Sequence, residues 1–140
     1  MGKPVIINLG VIVLAGVMLC GCQILGMGPS DEDLINAMMA DLSAALIAHD
    51  MDKLMENYSE NYSNSQGGDK ASVRGFIAEA IDQGYLDNTK VNLDDVEIKI
   101  EGDKADVGPM EVISDSGTYV LDYTLQKEGN AWLIVSSELQ

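Results

Sequence analysis

The sequence predicts an α+β domain in which helices pack on one face of a curved antiparallel sheet. Between positions 31 and 83, apolar residues recur three and four positions apart, as they do on one face of a helix. Beyond position 95 they alternate with polar residues, as in strands that have one face in water. Residues 31–140 are enough for a single domain of this kind.

Three helices are predicted first. Ser30 is a suitable N-cap, and the three acidic residues after it favour the positive end of a helix. A second, short helix begins at Asp50, and Asp69 caps a third that ends at Gly84. A clean apolar stripe runs along the third helix: Val73, Phe76, Ile77, Ala80 and Ile81.

Four strands follow, over residues 96–100, 105–113, 119–125 and 131–139. Gly-containing turns separate them. Gly108-Pro109 interrupts the second strand, and proline has no N–H to donate, so we expect a sheet edge or a bulge there. Trp132 and Ile134 share one face of the last strand and are expected to lie in the core.

The N-terminus has the parts of a secretory signal. Lys3 gives a basic start, and residues 5–19 form an apolar run in which only Asn8 is polar. The alternative is an uncleaved transmembrane anchor. Such a helix needs about 20 apolar residues, which this run reaches only by including polar residues and several glycines.

The stretch Leu19-Cys20-Gly21-Cys22 resembles a bacterial lipobox. It predicts cleavage between Gly21 and Cys22, removal of residues 1–21 and lipid attachment to Cys22. Cys20 is the poorer candidate, because Leu19 is too large for the position before a cleavage site. With Cys20 removed and Cys22 acylated, no thiol is left for a disulfide, a nucleophile or a metal site.

Residues 22–30 are predicted to be the lipidated N-terminus and a short tether. The seven residues from position 23 to position 29 reach roughly 25 Å at most. The lipobox resemblance implies membrane attachment through acyl chains on Cys22. Because Gln23 and not aspartate follows the cysteine, it also implies export to the outer membrane, facing the periplasm, in a Gram-negative cell.

The exported chain is strongly acidic. Lys3 is the only one of the eight basic residues in the signal, so seven remain against 23 acidic residues, a net charge of −16. Such a surface keeps a protein soluble by self-repulsion. It argues against nucleic-acid binding, which depends on lysine and arginine neutralising phosphates.

Several short segments resemble the NTF2-like superfamily, including its SnoaL-like members, across residues 31–140. They are His49-Asp50, Leu54-Met55, Tyr58 to Tyr62, the turn from Gly102 to Val107, and the final stretch from Lys127 to Ile134. The resemblance implies a cone of helices and curved sheet around an apolar pocket. Some members bind hydrophobic small molecules there, and others are isomerases, dehydratases or cyclases with an Asp or an Asp–His pair as base.

Five tyrosines are the candidate pocket residues, since aromatic faces with polar tips suit a ligand site. They are Tyr58, Tyr62, Tyr85, Tyr119 and Tyr123. His49 and Asp122 are weak candidates for a catalytic base. His49 is predicted to lie in the last turn of the first helix, and Asp122 on the strand face opposite Tyr119 and Tyr123.

The sequence indicates no metal, cofactor or nucleic-acid partner, since zinc, EF-hand, P-loop and dinucleotide motifs do not occur in it. Two functions remain open. The favoured one is a lipid-anchored envelope protein with a non-catalytic NTF2-like domain that binds a small apolar ligand, an envelope protein or a second copy of itself. The alternative is a small enzyme of isomerase or dehydratase type, acting by proton transfer on a hydrophobic molecule.

Overall fold

A computed structural model describes residues 28–140 of this chain. The predicted signal, the cleavage site between Gly21 and Cys22, the acylated cysteine and most of the tether lie outside the described residues. Among residues 28–140, no helix has both the length and the apolar composition needed to cross a bilayer.

Three helices form the first half of the described chain. They are α1 (Asp31–Ile47), α2 (Met51–Glu56) and α3 (Lys70–Asp82). The predicted caps Ser30 and Asp69 are confirmed, and Asp50, the predicted start of the second helix, is its N-cap. At α1 the capping is reciprocal: the Ser30 hydroxyl accepts from the Asp33 N–H at 3.1 Å, and the Asp33 carboxylate accepts from the Ser30 N–H at 3.1 Å. Gly84 ends α3 with a φ of 79°, a backbone conformation that favours glycine.

Five antiparallel strands form one sheet. They are β1 (Lys90–Asn92), β2 (Glu97–Glu101), β3 (Lys104–Ser114), β4 (Gly117–Glu128) and β5 (Ala131–Leu139). β3 pairs with β4, and β4 with β5, while β1 and β2 pair with successive parts of the other edge of β3. Strand β1 was not predicted, because its three residues are too few to show an alternation.

The Gly108-Pro109 pair lies at a bulge. The register between β3 and β4 shifts between Val107 and Met110, so the bulge expectation is confirmed. The edge expectation is wrong, because β3 has neighbours on both sides. Pro109 falls between the part of β3 that pairs with β2 and the part that pairs with β1, where no strand requires its missing N–H. A bulge increases local bending of the sheet.

The core lies between α1 and the inner face of the sheet. Its most deeply buried members are Ile35, Met39, Leu42, Met110, Leu125 and Ile134. Trp132 is 3% exposed and packs in the same cluster, which confirms the prediction for Trp132 and Ile134. Its indole N–H donates to the Asp31 carboxylate at 3.1 Å, which links the start of α1 to β5.

The segment after α2 lies along the free edge of β5. The Ile134 N–H donates to the Asn57 carbonyl at 2.8 Å, and the Ser59 N–H donates to the Ile134 carbonyl at 2.9 Å. The Ser63 N–H donates to the Val135 carbonyl at 3.0 Å. These bonds cover part of an edge that would otherwise be open to another strand. They also hold Tyr58 and Tyr62 against the sheet.

Candidate ligand-binding cavity

A cavity of about 1030 Å³ opens between the helices and the inner face of the sheet. Small-molecule sites usually enclose about 300–1,000 Å³, so this volume is at the upper end of that range. Leu42, Leu46 and Leu54 line it from α1 and α2, and Val112, Leu121 and Leu139 from the sheet. Its wall is therefore mainly apolar, with aromatic rings set into it.

All five tyrosines named from the sequence line this cavity. Tyr58, Tyr62 and Tyr123 form its floor and are only 5%, 3% and 4% exposed. Tyr85, at the rim, is 49% exposed, and Tyr119 is half-buried. Whether these rings bind a ligand remains a prediction, but the fold brings them to a single concave surface.

The floor tyrosines contact one another. The rings of Tyr58 and Tyr62 meet edge to face with their centroids 5.4 Å apart, a favourable aromatic geometry. The hydroxyls of Tyr62 and Ser137 are hydrogen-bonded at 2.6 Å. Burial raises the pKa of Tyr58 and of Tyr123, and the neighbouring Tyr62 raises both further, so both phenols stay protonated.

Helix α3 forms one wall of the cavity. Its lining residues include Val73, Phe76, Ile77 and Ala80, four of the five in the predicted stripe. None of its residues is fully buried, and Phe76 is 69% exposed. The other four residues of the stripe are half-buried at the edge of the core, so the stripe is partly packed and partly open to the cavity. Ion pairs attach the helix to its neighbours: Arg74 to Asp52 at 2.8 Å and Lys70 to Glu60 at 2.6 Å.

Charged side chains are few around the cavity. Within residues 28–140 its lining contains two acids, Glu79 and Glu138, both exposed, and no lysine, arginine or histidine. The Glu79 carboxylate accepts from the Gln83 amide at 2.8 Å. Glu138 pairs in register with Asp122, so it belongs to the outer face of the sheet. The lining therefore offers apolar surface and neutral polar groups, both hydroxyls and the side-chain amides of Asn64, Gln66 and Gln83.

His49 lies outside the cavity lining. The prediction that it occupies the last turn of α1 is wrong, because α1 ends at Ile47 and His49 has a left-handed φ of 55°. This turn carries the imidazole towards the loop after α3, where Nε2 lies 2.9 Å from the Leu86 carbonyl. The ring connects two parts of the chain and does not point at the floor tyrosines.

Asp122 lies on the outer face of β4, opposite the tyrosines, as the alternation indicates. Its carboxylate contacts Gly108 and accepts a hydrogen bond from the Gln140 side chain. A shallow outer cleft of about 300 Å³ adjoins it. In the described part of the chain, no three His, Cys, Asp or Glu side chains are grouped as a metal site would need.

Ser137, whose hydroxyl is bonded to that of Tyr62 at the cavity floor, was not predicted from the sequence. A register shift between Thr124 and Leu125 leaves Val135 without a partner. The inner face of β5 therefore passes from Trp132 and Ile134 to Ser137 and Leu139. Simple alternation would have put Ser136 on that face, so the sequence had no signal for this residue.

No family model and no curated protein matches the sequence of this chain. Solved structures do match. A protein of unknown function from Nostoc punctiforme with a cystatin-like fold aligns with a TM-score of 0.62 and 14% identity, over 81% of this chain and 93% of its own. An NTF-2 like protein of unknown function from Shewanella oneidensis aligns with a TM-score of 0.61 and 17% identity, over 79% and 98%.

The fold is NTF2-like. A third match, from Streptomyces avermitilis, is provisionally named a dehydratase of the NTF2-like family. It has a TM-score of 0.60 and 15% identity, and the alignment covers 78% of this chain and 94% of that one. At these identities the likeness concerns the arrangement of helices and curved sheet. The NTF2-like cone is where the cavity of this chain lies.

Proposed function

We propose that this chain is a lipid-anchored protein of the cell envelope whose NTF2-like cone binds a small apolar molecule without transforming it. The observation that carries the proposal is the cavity of about 1030 Å³, with its apolar wall and its tyrosine floor. Ligand sites in proteins are typically concave, mostly apolar and supplied with a few fixed polar groups. The cavity has each of these properties.

The alternative is an enzyme that moves a proton on a hydrophobic substrate, as a dehydratase would. A general base must lie within hydrogen-bond reach of the proton that it removes. Among the described cavity residues the only ionisable acids, Glu79 and Glu138, are exposed, and His49 lies elsewhere. The raised pKa of Tyr58 and Tyr123 opposes a phenolate base. These features support binding over catalysis.

Anchoring through Cys22 is supported by the lipobox-like sequence and by where the fold begins. Only eight residues, 23–30, separate Cys22 from the first residue of α1. Such a tether keeps the cone within a few nanometres of the bilayer, by the reach of roughly 3.5 Å per residue. A ligand that partitions into the membrane would be at high local concentration there. The proposed location is the periplasmic side of an outer membrane.

The anchoring is tested by comparing Cys22→Ala with Cys20→Ala. We expect Cys22→Ala to abolish incorporation of labelled palmitate and to leave an unprocessed precursor or a released protein. Cys20→Ala should leave labelling and membrane fractionation unchanged, because that residue is removed with the signal. Acylation that persists in Cys22→Ala would contradict the proposal.

Ligand binding is tested on the mature chain, residues 22–140, carrying Cys22→Ala, since this chain contains every helix and strand described. The probe is N-phenyl-1-naphthylamine, a neutral dye whose fluorescence rises in apolar surroundings. We expect Ala80→Trp, which places a large ring in the cavity wall, to weaken dye binding at least tenfold. Ala71→Trp is the matched control on the same helix, at an exposed position outside the lining. Equal binding by the two variants, or none by the unmodified chain, would contradict the proposal.

A further inference from the structure

Large apolar side chains are exposed to water around the mouth of the cavity. Phe76, Tyr85 and Leu139 line the cavity and are 69%, 49% and 58% exposed. They come from α3, from the turn that follows it and from the end of β5, and together they form the rim. Apolar groups that gather around a concave site, and are not scattered singly, mark a surface that meets an apolar partner.

The rim is at the opposite end of α1 from the tether. Helix α1 begins beside the β4–β5 hairpin, since the Asp31 carboxylate lies 2.7 Å from the Lys127 ammonium. It ends beside the loop that carries Tyr85, because His49 Nε2 lies 2.9 Å from the Leu86 carbonyl. The 17 residues of α1 span about 25 Å at 1.5 Å per residue. The Tyr85 side of the rim is therefore about that far from the point where the tether joins the domain.

The tether is long enough to bring this end of the domain to the membrane. From Cys22 to Asp31 the chain takes 31 − 22 = 9 residue steps, which reach about 31 Å at most at roughly 3.5 Å per step. This reach exceeds the length of α1, so the lipid on Cys22 and the rim can meet the same bilayer surface. The margin is only about 6 Å, so a shorter tether would not permit this contact.

Charge favours a neutral lipid surface over a second copy or an anionic membrane. Two exported chains, each with a net charge of −16, repel one another. Within residues 28–140 no lysine or arginine lines the cavity, so the basic contacts that attract anionic lipids are missing from its mouth. Its two acids, Glu79 and Glu138, are exposed there. A zwitterionic headgroup presents an ammonium group to such carboxylates.

We infer, on the basis of the proposed anchoring and binding functions, that the mouth of the cone docks on the neutral lipid surface to which the chain is tethered. Phe76, Tyr85 and Leu139 enter the boundary between headgroups and acyl chains, as the apolar faces of interfacial helices do. The ring and polar tip of Tyr85 suit this boundary. The β4–β5 hairpin then points away from the bilayer, and an apolar ligand passes between bilayer and cavity without crossing water.

The test tethers the mature chain, residues 22–140, without cellular processing. Cys22 is the only cysteine of this chain, so its thiol can be coupled to a maleimide-headgroup lipid in phosphatidylcholine vesicles. The coupling replaces the proposed acylation, and a failure of docking is therefore not confused with a failure of anchoring in the cell. Lipids brominated on their acyl chains quench the fluorescence of a tryptophan that enters the bilayer.

Two variants place a tryptophan at opposite ends of the domain. Phe76→Trp reports the rim, and Ala131→Trp is the matched control at the β4–β5 hairpin; both replace exposed side chains. Trp132 is buried in the core and gives both variants the same background. We expect brominated lipid to quench Phe76→Trp at least roughly threefold more than Ala131→Trp, as insertion of the rim requires.

A shortened tether tests the geometry. Deletion of residues 24–27 reduces the reach between Cys22 and Asp31 to about 18 Å, less than the length of α1. We expect the quenching of Phe76→Trp to fall to the level of Ala131→Trp. Equal quenching of the two variants with the full tether, or quenching of Phe76→Trp that survives the deletion, overturns the inference.

Two further measurements separate docking from the other possibilities. An emission of Phe76→Trp that shifts to the blue with rising protein concentration, without vesicles, would assign the rim to a second copy and overturn the inference. Binding of N-phenyl-1-naphthylamine is measured on the uncoupled chain. If the dye binds while both variants are quenched equally, the docking fails and the binding function stands. If the dye does not bind while Phe76→Trp alone is quenched, the docking stands and the binding function fails.

Discussion

At the residue scale, Gly108 permits the bend of the sheet because it has no Cβ atom. It faces Asp122 across the bulge between β3 and β4. A Cβ atom at this position would lie 3.1 Å from the Asp122 Cα and closer still to its carboxylate. The backbone of β4 cannot withdraw without disturbing its pairing with β5.

We therefore expect Gly108→Ala to destabilise the fold by about 1–3 kcal/mol, the usual effect of forced overpacking. Gly75→Ala is the matched control, because a Cβ atom there meets nothing within 4 Å and Gly75 lies inside α3. It should stabilise the protein by about 0.5–1 kcal/mol. Urea unfolding of both variants measures the two effects. Equal changes in the same direction would contradict the packing account.

Asp31 provides a pH-dependent contact between the start of α1 and the end of the sheet. Its carboxylate accepts from the Lys127 ammonium at 2.7 Å and from the Trp132 indole N–H at 3.1 Å. These two bonds, led by that to Lys127, hold the pKa of Asp31 below its ordinary value of 3.8. A carboxyl with a lowered pKa in the folded state stabilises above its unfolded pKa, and this contribution is lost as the pH falls through the folded value.

The free energy of unfolding of the unmodified chain should therefore exceed that of Asp31→Asn near pH 6. The difference should shrink below about pH 4, as the carboxyl protonates. Urea titrations at several pH values measure it. Asp41→Asn, at an exposed position of α1 without a hydrogen bond among the described residues, controls for the general effect of removing an acid. A difference that does not change between pH 6 and pH 3 would contradict the role of Asp31.

At the element scale, α1 and α3 differ in what they bury. α1 buries six residues, whereas α3 has none that is fully buried. Two surface ion pairs attach α3 to its neighbours, and such pairs each contribute little, usually less than about 1 kcal/mol. Local opening is favoured where few apolar contacts must be broken. Helix α3, which forms one wall of the cavity, is therefore held less firmly than α1.

We expect the amides of α3 to exchange with deuterium much faster than those of α1 in the empty protein. A bound apolar ligand covers Phe76 and Ile77, so addition of N-phenyl-1-naphthylamine should slow exchange in α3 and leave α1 unchanged. Peptide-resolved mass spectrometry measures both. Equal protection of α1 and α3 without ligand would contradict this account of the wall.

The elements also separate what the sequence could predict from what it could not. Caps at Ser30, Asp50 and Asp69 were predictable because capping is a contact between residues three apart. The apolar stripe of α3 was found, but periodicity does not distinguish a wall around an empty space from a face in a packed core. The first strand has no periodicity to detect, since only its pairing with β3 defines it.

At the scale of the whole molecule, charge dominates the outer surface. The face of the sheet turned away from the helices carries more acids than bases: Glu97, Glu101, Asp106, Glu111, Asp122 and Glu138 against Lys99 and Lys104. A second copy across this face would bring like charges together. A basic envelope protein would fit it better, and either partner remains a proposal.

We expect the melting temperature to rise with salt between 10 mM and 500 mM NaCl, because screening reduces the self-repulsion of a chain with a net charge of −16. Differential scanning calorimetry measures the change, with a non-ionic osmolyte at equal osmolality as the control. A melting temperature that is flat or falls with salt would show that local ion pairs outweigh the repulsion.

The sequence by itself determined the α+β class, the helix caps, the main strands and the core role of Trp132, because each depends on neighbours close along the chain. The tertiary structure decided that five scattered tyrosines meet at one cavity, that His49 turns away from it, and that a register shift brings Ser137 to its floor. These outcomes depend on strand register, bulges and loop closure between distant residues. A local sequence pattern does not specify such long-range geometry. The cavity depends on that geometry, so only the tertiary structure shows it.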